Sequence, residues 1–343
     1  ELGPLGMAPW GTPRRAVAGS IYPPAEQIVE VLRSLGWQPD VTADRFLRYT
    51  HRRIDTADVY FLSNGENEAV QTLAFFRQSG RLPECWHPET GQIRPLPRFW
   101  TTGDGRTAVP LRFEPQESYF IVFRTKLPTG KANKPASKPG TGHDWPLDAA
   151  INFPRLVQKG EVRGPWTVTF DPAWGGPEKP RVWQQLQDWS QDADPAVRYY
   201  SGPAHYSTTF TATPTLLQAG KPVYLDLGRV EVMAEVRVNG KPAGIAWKRP
   251  FRVEVTSAVQ PGINRLELTM VNLWPNRLIG DEHLPPDCDR QPDGTLARWP
   301  EWLVQGKPSP TGRRSFATWR HWTKESPLLP SGLLGPVTVW QTE

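Results

Sequence analysis

"VYLDLGRVEVMAEVRVNGKPAGIAWKRPFRVEVTSAVQPGINRLELTMVN", residues 223–272, decides the fold. Its last nine residues alternate. Leu266, Leu268 and Met270 fall on one face and polar side chains on the other, the period-two pattern of a strand with one face in a core. Asn239-Gly240 lies between two strand-like runs and is the dipeptide of a two-residue hairpin, because both turn positions need positive φ. Several short strands follow one another at a spacing of about 8–12 residues, which predicts a sandwich or jelly roll.

The same texture extends outward. "PWTVTFDPAWGGP" at 165–177 reads as strand then turn, "RYYSGPAHYSTTFTA" at 198–212 alternates toward a strand, and "GPVTVW" at 335–340 closes the domain. Upstream, "AVQTLAFFRQSG" and "QESYFIVFRT" are rich in aromatic and β-branched residues, with turn clusters "PETG" and "TTGDGR" separating the runs. Residues 46–52 and 59–62 are two further strand candidates. Residues 22–37 predict one amphipathic helix with Ile28, Val31, Leu32 and Leu35 on one face and Gly36 as its stop. Residues 126–144 are Lys, Pro, Gly and Ser with almost no apolar content, a solvated linker. The expected organisation is an α/β remnant at 1–64, a small antiparallel β-sandwich at 65–125, a linker at 126–149 and a jelly roll at 150–343. The fold class is mainly β.

Composition narrows function. The 343 residues include 38 Pro and 29 Gly, which favour short strands and turns, and 16 Trp, which serve either a core or a surface that stacks on sugars. Forty basic against 35 acidic residues give +5, but the charges are scattered, which argues against nucleic acid as a partner. No apolar run approaches the ~18 residues of a membrane span, and the opening "ELGPLGMAPWG" is not a signal peptide and reads as the interior of a longer parent. Cys85 and Cys288 make no metal-ligand pattern and are expected as free thiols. There is no GxSxG, HExxH, P-loop or GxGxxG, so no cofactor or metal is expected.

"LDLGRV", "AEVRVNG", "WKRPFRVEVT" and "NRLELTMVNLWPNRLIGD" resemble the galactose-binding-like sandwich of family 2 glycoside hydrolases and relatives. With "HRRIDTADVYFLSN", "PECWHPETG", "ESYFIVFR" and the terminal "SGLLGPVTV", the chain resembles the C-terminal portion of glycoside hydrolase family 106, the α-L-rhamnosidases. That resemblance implies a saccharide ligand or substrate and favours a periplasmic or secreted location. It also implies a large N-terminal barrel supplying the catalytic glutamates and a calcium site. A chain of this length has no room for that barrel, so no catalytic residue of the family transfers to a position here.

Four clusters are candidate sites. "NLWPNRLIGDEHLPPD", 272–287, concentrates Trp274, Asn276, Arg277, Asp281, Glu282 and His283 after a strand end. Glycoside hydrolysis needs two carboxyl groups about 5–9.5 Å apart, one of them protonated. Asp281 and Glu282 are the candidate pair. The alternative is a structural bend, with Arg277 pairing to Asp281 and keeping it ionised. In the second cluster, Glu84 and Trp86 offer an acceptor and a stacking face, or a hairpin presenting its Trp to an interface. In the third, Trp319, His321 and Trp322 suit a saccharide, rings to C–H faces and charges to hydroxyls, or an indole plugging the sandwich. Alternation puts Trp319 and His321 on one face. His51, Arg52 and Arg53 suit an anion or an interdomain salt link.

Overall fold

The computed structural model describes residues 25–128, 152–217 and 221–343. The chain divides into two compact units, Glu1–Phe153 and Pro154–Glu343. Both are antiparallel and mainly β.

In the first unit, helix α1 spans Ala25–Ser34 and closes at Gly36 as its sequence predicts. Its apolar stripe is not covered by the described residues: Val31, Leu32 and Leu35 are all exposed. Nine strands follow: β1 Val41–Ala43, β2 Arg48–Ile54, β3 Ala57–Ser63, β4 Val70–Phe76, β5 Arg81–Trp86, β6 Ile93–Pro95, β7 Trp100–Thr101, β8 Thr107–Phe113 and β9 Ser118–Lys126. They form a four-stranded sheet, β1-β4-β8-β7, and a five-stranded sheet, β2-β3-β9-β5-β6. Tyr60, Leu62, Phe76, Val109, Phe113, Tyr119, Ile121 and Phe123 from the two sheets share one core.

The expected break at 64/65 falls inside this sandwich. β1 pairs with β4 and β3 with β9, so the strands of 41–63 are part of the layers and not of a separate α/β remnant. Pairing between strands distant in sequence leaves no local signature. Asn152 and Phe153, expected in the last domain, also pack here: Asn152 Nδ2 donates to Arg98 O and Pro110 O, and Phe153 stacks on Tyr119. Most of the expected linker, 129–149, lies outside the described residues.

Edge strand β2 is almost wholly exposed and charged, which blunts an edge that would otherwise template further pairing. Its His51 does not await an anion. Nδ1 lies 3.3 Å from Asp40 Oδ2 and Nε2 3.0 Å from Asp58 Oδ1, and the ring stacks on buried Tyr60. Arg77 pairs with Asp40, and Arg81 and Gln78 with Asp58. Burial alone would raise the Asp40 carboxyl; the hydrogen bond and charge of Arg77, helped by His51, outweigh it and hold it below its ordinary value. A depressed carboxyl stabilises the fold above its unfolded value and loses that contribution as pH falls through the folded one. The melting temperature of the protein is therefore expected to fall below about pH 4, and to fall less steeply in Asp40→Asn. Thermal melts at several acid pH values check this; parallel slopes would contradict it.

The second unit holds β10 Leu156–Glu161, β11 Trp166–Phe170, β12 Arg181–Trp183, helix α2 Pro195–Arg198, β13 Pro203–Ala212, β14 Val223–Asp226, β15 Arg229–Glu231, β16 Met233–Val238, β17 Lys241–Ala246, β18 Arg252–Glu254 and β19 Gly262–Val271. Helices α3 Pro275–Asp281 and α4 Glu301–Val304 and strands β20 Gly332–Gly335 and β21 Thr338–Thr342 complete it. A six-stranded sheet, β12-β11-β13-β19-β16-β17, faces a four-stranded one, β10-β21-β14-β18, across one shared core. Leu266, Leu268 and Met270 point inward as their alternation predicts, opposite Thr208, Tyr206 and Ala204 of β13. Asn239 and Gly240 both have positive φ and join β16 to β17. Asn239 also donates to Ala258 O and Asn264 Oδ1, so the turn is tied to its neighbours.

The core centres on Trp189, fully buried. Its indole N–H donates to Tyr206 Oη at 2.5 Å, and Phe170 and Tyr200 pack edge-on against the ring. Gly332 lies directly over this indole at φ +96°.

Candidate functional site

Residues 275–281, read from sequence as part of a loop, form helix α3 with proline at its first turn. Proline there lacks an N–H the helix would not have used. Two buried asparagines anchor the helix. Asn272 accepts from Gly202 N and donates to Tyr200 O and Ser331 Oγ. Asn276 donates to Leu329 O and Ser331 Oγ and accepts from Leu329 N. Every polar atom of the Asn276 amide thus has a partner within the fold.

Asp281 is 2% exposed. Its Oδ2 accepts from Arg314 N at 2.9 Å, Ser315 N at 2.7 Å and Ser315 Oγ at 2.7 Å. Its Oδ1 lies 3.8 Å from Arg277 Nη1, the pairing expected from the i,i+4 spacing. Glu282 accepts from Arg313 Nη1 at 2.8 Å through one oxygen and from Arg320 Nε at 2.8 Å through the other. All these partners are donors, which is the environment of a carboxylate held in place by hydrogen bonds. His283 meets Tyr199 Oη at 3.2 Å. Burial, opposed by Asp281 and joined by repulsion from Arg314, pulls the Arg277 guanidinium below its ordinary value. Its Nε and Nη2 are buried without a hydrogen-bond partner.

Two sequence clusters converge here. Glu282, Asp287, Arg313, Trp319, His321 and Trp322 line one small space of about 30 Å³. That is room for about one water, whereas ligand pockets run to about 300–1,000 Å³. At its mouth Trp319 is half exposed and its ring sits 5.0 Å from His321. Asp287 was not singled out in the sequence, yet its Oδ2 is buried without a hydrogen-bond partner. A larger groove of about 360 Å³ runs beside β10 and β13 past Lys159, Glu161, Thr209, Thr211 and Ile263. It offers hydroxyls and charges but no exposed ring, since its Phe210 is buried.

Glu84 and Trp86 lie on β5 of the first unit and engage each other. The indole N–H donates to Glu84 Oε2 at 2.9 Å, and Arg124 binds the same carboxylate while lying over the Trp86 ring. Cys85 and Cys288 are free; burial pushes the Cys85 thiol up to about 11 and raises that of Cys288, which keeps both from forming thiolates near neutrality. No cluster of three metal-ligating side chains occurs among the described residues, and no described helix is long and apolar enough to cross a membrane.

The tryptophans divide between core and surface. Among the described residues Trp100, Trp166, Trp183 and Trp189 are buried, while Trp37, Trp174, Trp247, Trp274, Trp299 and Trp319 are exposed. In sequence, Trp174 reads only as part of a turn. It lies 5.5 Å from Trp274, ring centre to ring centre, with both indoles open to solvent.

Comparison with known proteins agrees with this architecture. The family model of α-L-rhamnosidases, glycoside hydrolase family 106, matches residues 7–100. A solved rhamnosidase from Novosphingobium sp. PP1Y superposes with a TM-score of 0.69 over 93% of this chain and 26% of its own, at 30% identity. A Formosa agariphila protein provisionally named a β-glucuronidase is 45% identical over 178 residues, 52% of this chain and 15% of that protein. The chain thus spans about a quarter or less of the length of these relatives. In sequence and in fold, it is similar to the α-L-rhamnosidases of glycoside hydrolase family 106.

Proposed function

We propose that this chain is a saccharide-contacting, non-catalytic β-sandwich portion of an α-L-rhamnosidase-like glycoside hydrolase. Asp281 and Glu282 brace its loops instead of exchanging protons with substrate. The observation that carries this reading is that the fold engages both carboxylates: Asp281 is buried with three donors on Oδ2, and Glu282 is clamped between two guanidiniums. A general acid must hold a proton and reach the glycosidic oxygen, and neither group is placed to do so. Trp319 and His321, at the mouth of the small space, supply the ring faces a sugar stacks on. The acid/base carboxylates belong to a barrel of the kind the family resemblance implies. Support comes from the 93% coverage of this chain against only 26% of the solved rhamnosidase.

The test is a panel of p-nitrophenyl glycosides and rhamnose-containing oligosaccharides offered to the purified 343-residue chain. No turnover is expected, with saturable oligosaccharide binding by calorimetry that weakens at least about tenfold, roughly 1.4 kcal/mol, in Trp319→Ala. Absence of any saccharide binding would overturn the reading.

A further inference from the structure

The exposed indoles of Trp174 and Trp274 come from different parts of the chain, yet both are set by rigid local structure. Trp174 ends a single helical turn, Pro172–Trp174, capped by the Asp171 carboxylate and closed by Gly175 at φ +85°. The Arg314 side chain packs over Gly175. A Cβ there would fall 2.5 Å from Arg314 Nε, so the Arg314 side chain lies against the turn that carries Trp174. Its Nη1 donates to Ala173 O at 3.3 Å. Trp274 sits at the start of α3, fixed by the Asn272 amide and by Ser201 Oγ, which donates to Leu273 O. The two ring planes meet at 48°, and both indoles are exposed. Two half-exposed indoles held this way keep apolar surface in water, which costs free energy unless something covers it.

Of the charges beside them, the Asp171 carboxylate caps the Trp174 turn through Ala173 N and Asp281 faces Arg277. Arg314 has no carboxylate partner among the described residues. Arg277, one turn into α3 from Trp274, reaches only Asp281, whose other oxygen is already taken by three donors. Rings that stack on C–H faces, next to a guanidinium with spare donors, fit a sugar that also carries an anion.

We propose that Trp174, Trp274 and Arg314 form a binding site for a carboxylate-bearing sugar residue of the uronate type, the indoles taking the ring and Arg314 the carboxylate. This rests on the saccharide-contacting reading above but concerns different residues from Trp319 and His321.

The probes are methyl β-D-glucuronide and methyl β-D-glucoside, which differ in carboxylate against hydroxymethyl, titrated into the full chain by ligand-observed NMR. The glucuronide is expected to bind at least about tenfold more tightly. Trp174→Ala and Trp274→Ala should each weaken it tenfold or more. Arg314→Gln should erase the preference for glucuronide while leaving glucoside binding in place. Trp247→Ala, an exposed indole at the end of β17, should change nothing. All four positions are exposed, so each variant should fold, and a thermal melt confirms it. Glucuronide binding unchanged in folded Trp174→Ala and Trp274→Ala overturns the proposal, as does a tie between the two probes. If rhamnose-containing oligosaccharides bind through Trp319 but neither probe binds, this site fails and the broader reading survives. If no saccharide binds, both fail.

Discussion

Asp281→Ala is expected to destabilise the 154–343 unit by about 3–5 kcal/mol, the range for removing one partner from a buried, hydrogen-bonded charge set. For a unit of this size that is a fall in melting temperature of roughly 10 °C. The carboxylate is 2% exposed, and its Oδ2 collects two backbone N–H groups and a hydroxyl from the 314–315 segment, more than thirty residues away. Deleting it leaves those donors and the Arg277 guanidinium buried without an acceptor, and each orphan costs about 1–3 kcal/mol. Asp281→Asn keeps one carbonyl oxygen and should lose less. A catalytic carboxylate behaves in the opposite way, because active-site charges are commonly held at a cost to stability and their removal often stabilises. Differential scanning calorimetry separates the two: a melting temperature unchanged or raised in Asp281→Ala would contradict the bracing role.

Gly332→Ala should cost at least about 3 kcal/mol through two separable effects. At φ +96° a Cβ is strained whatever the space around it, and here it would meet Trp189 Nε1 at 2.3 Å and Cε2 at 2.5 Å. The indole cannot retreat. It is wholly buried, tied to Tyr206 Oη and wedged by Phe170 and Tyr200. Ser331 next door is held by Asp188, Asn272 and Asn276, so the backbone cannot slide either. Trp189→Leu removes Nε1 and Cε2, the two nearest ring atoms a Cβ would strike, and puts no ring atom in their place. In that background Gly332→Ala should cost at least about 1 kcal/mol less than in the wild type, a coupling that a double-mutant cycle reads directly. Strict additivity would mean that the backbone conformation alone requires glycine.

Much of the second unit was legible because its information is local. Leu266, Leu268 and Met270 alternate over a few residues, and Asn239-Gly240 states its own turn. Arg277 and Asp281 are four apart and meet as that spacing suggests. What the sequence hid is what depends on distant partners. Glu282 is defined by Arg313 and Arg320, 31 and 38 residues on. Nothing near position 282 announces that both oxygens will be occupied. The convergence of the 281–287 and 319–322 clusters on one space is likewise a property of the folded loops. Trp174 is hidden in sequence because "DPAWGG" is a convincing turn, and a turn pattern says nothing of which ring it presents. α3 reads as a loop in sequence because seven residues are too few to show a helical period, although Pro275 at its start is a usable signal. In the first unit, β1 to β3 followed a helix and so suggested an α/β piece. Only their antiparallel pairing with β4 and β9 places them in the sandwich.

The most direct measurement is the initial rate of p-nitrophenol release from p-nitrophenyl α-L-rhamnoside by the purified chain, set beside that of Glu282→Gln. No rate above the enzyme-free blank is expected from either protein. Turnover by the wild-type chain that vanishes in a normally folded Glu282→Gln would show that this carboxylate performs chemistry, and would contradict its role as a brace.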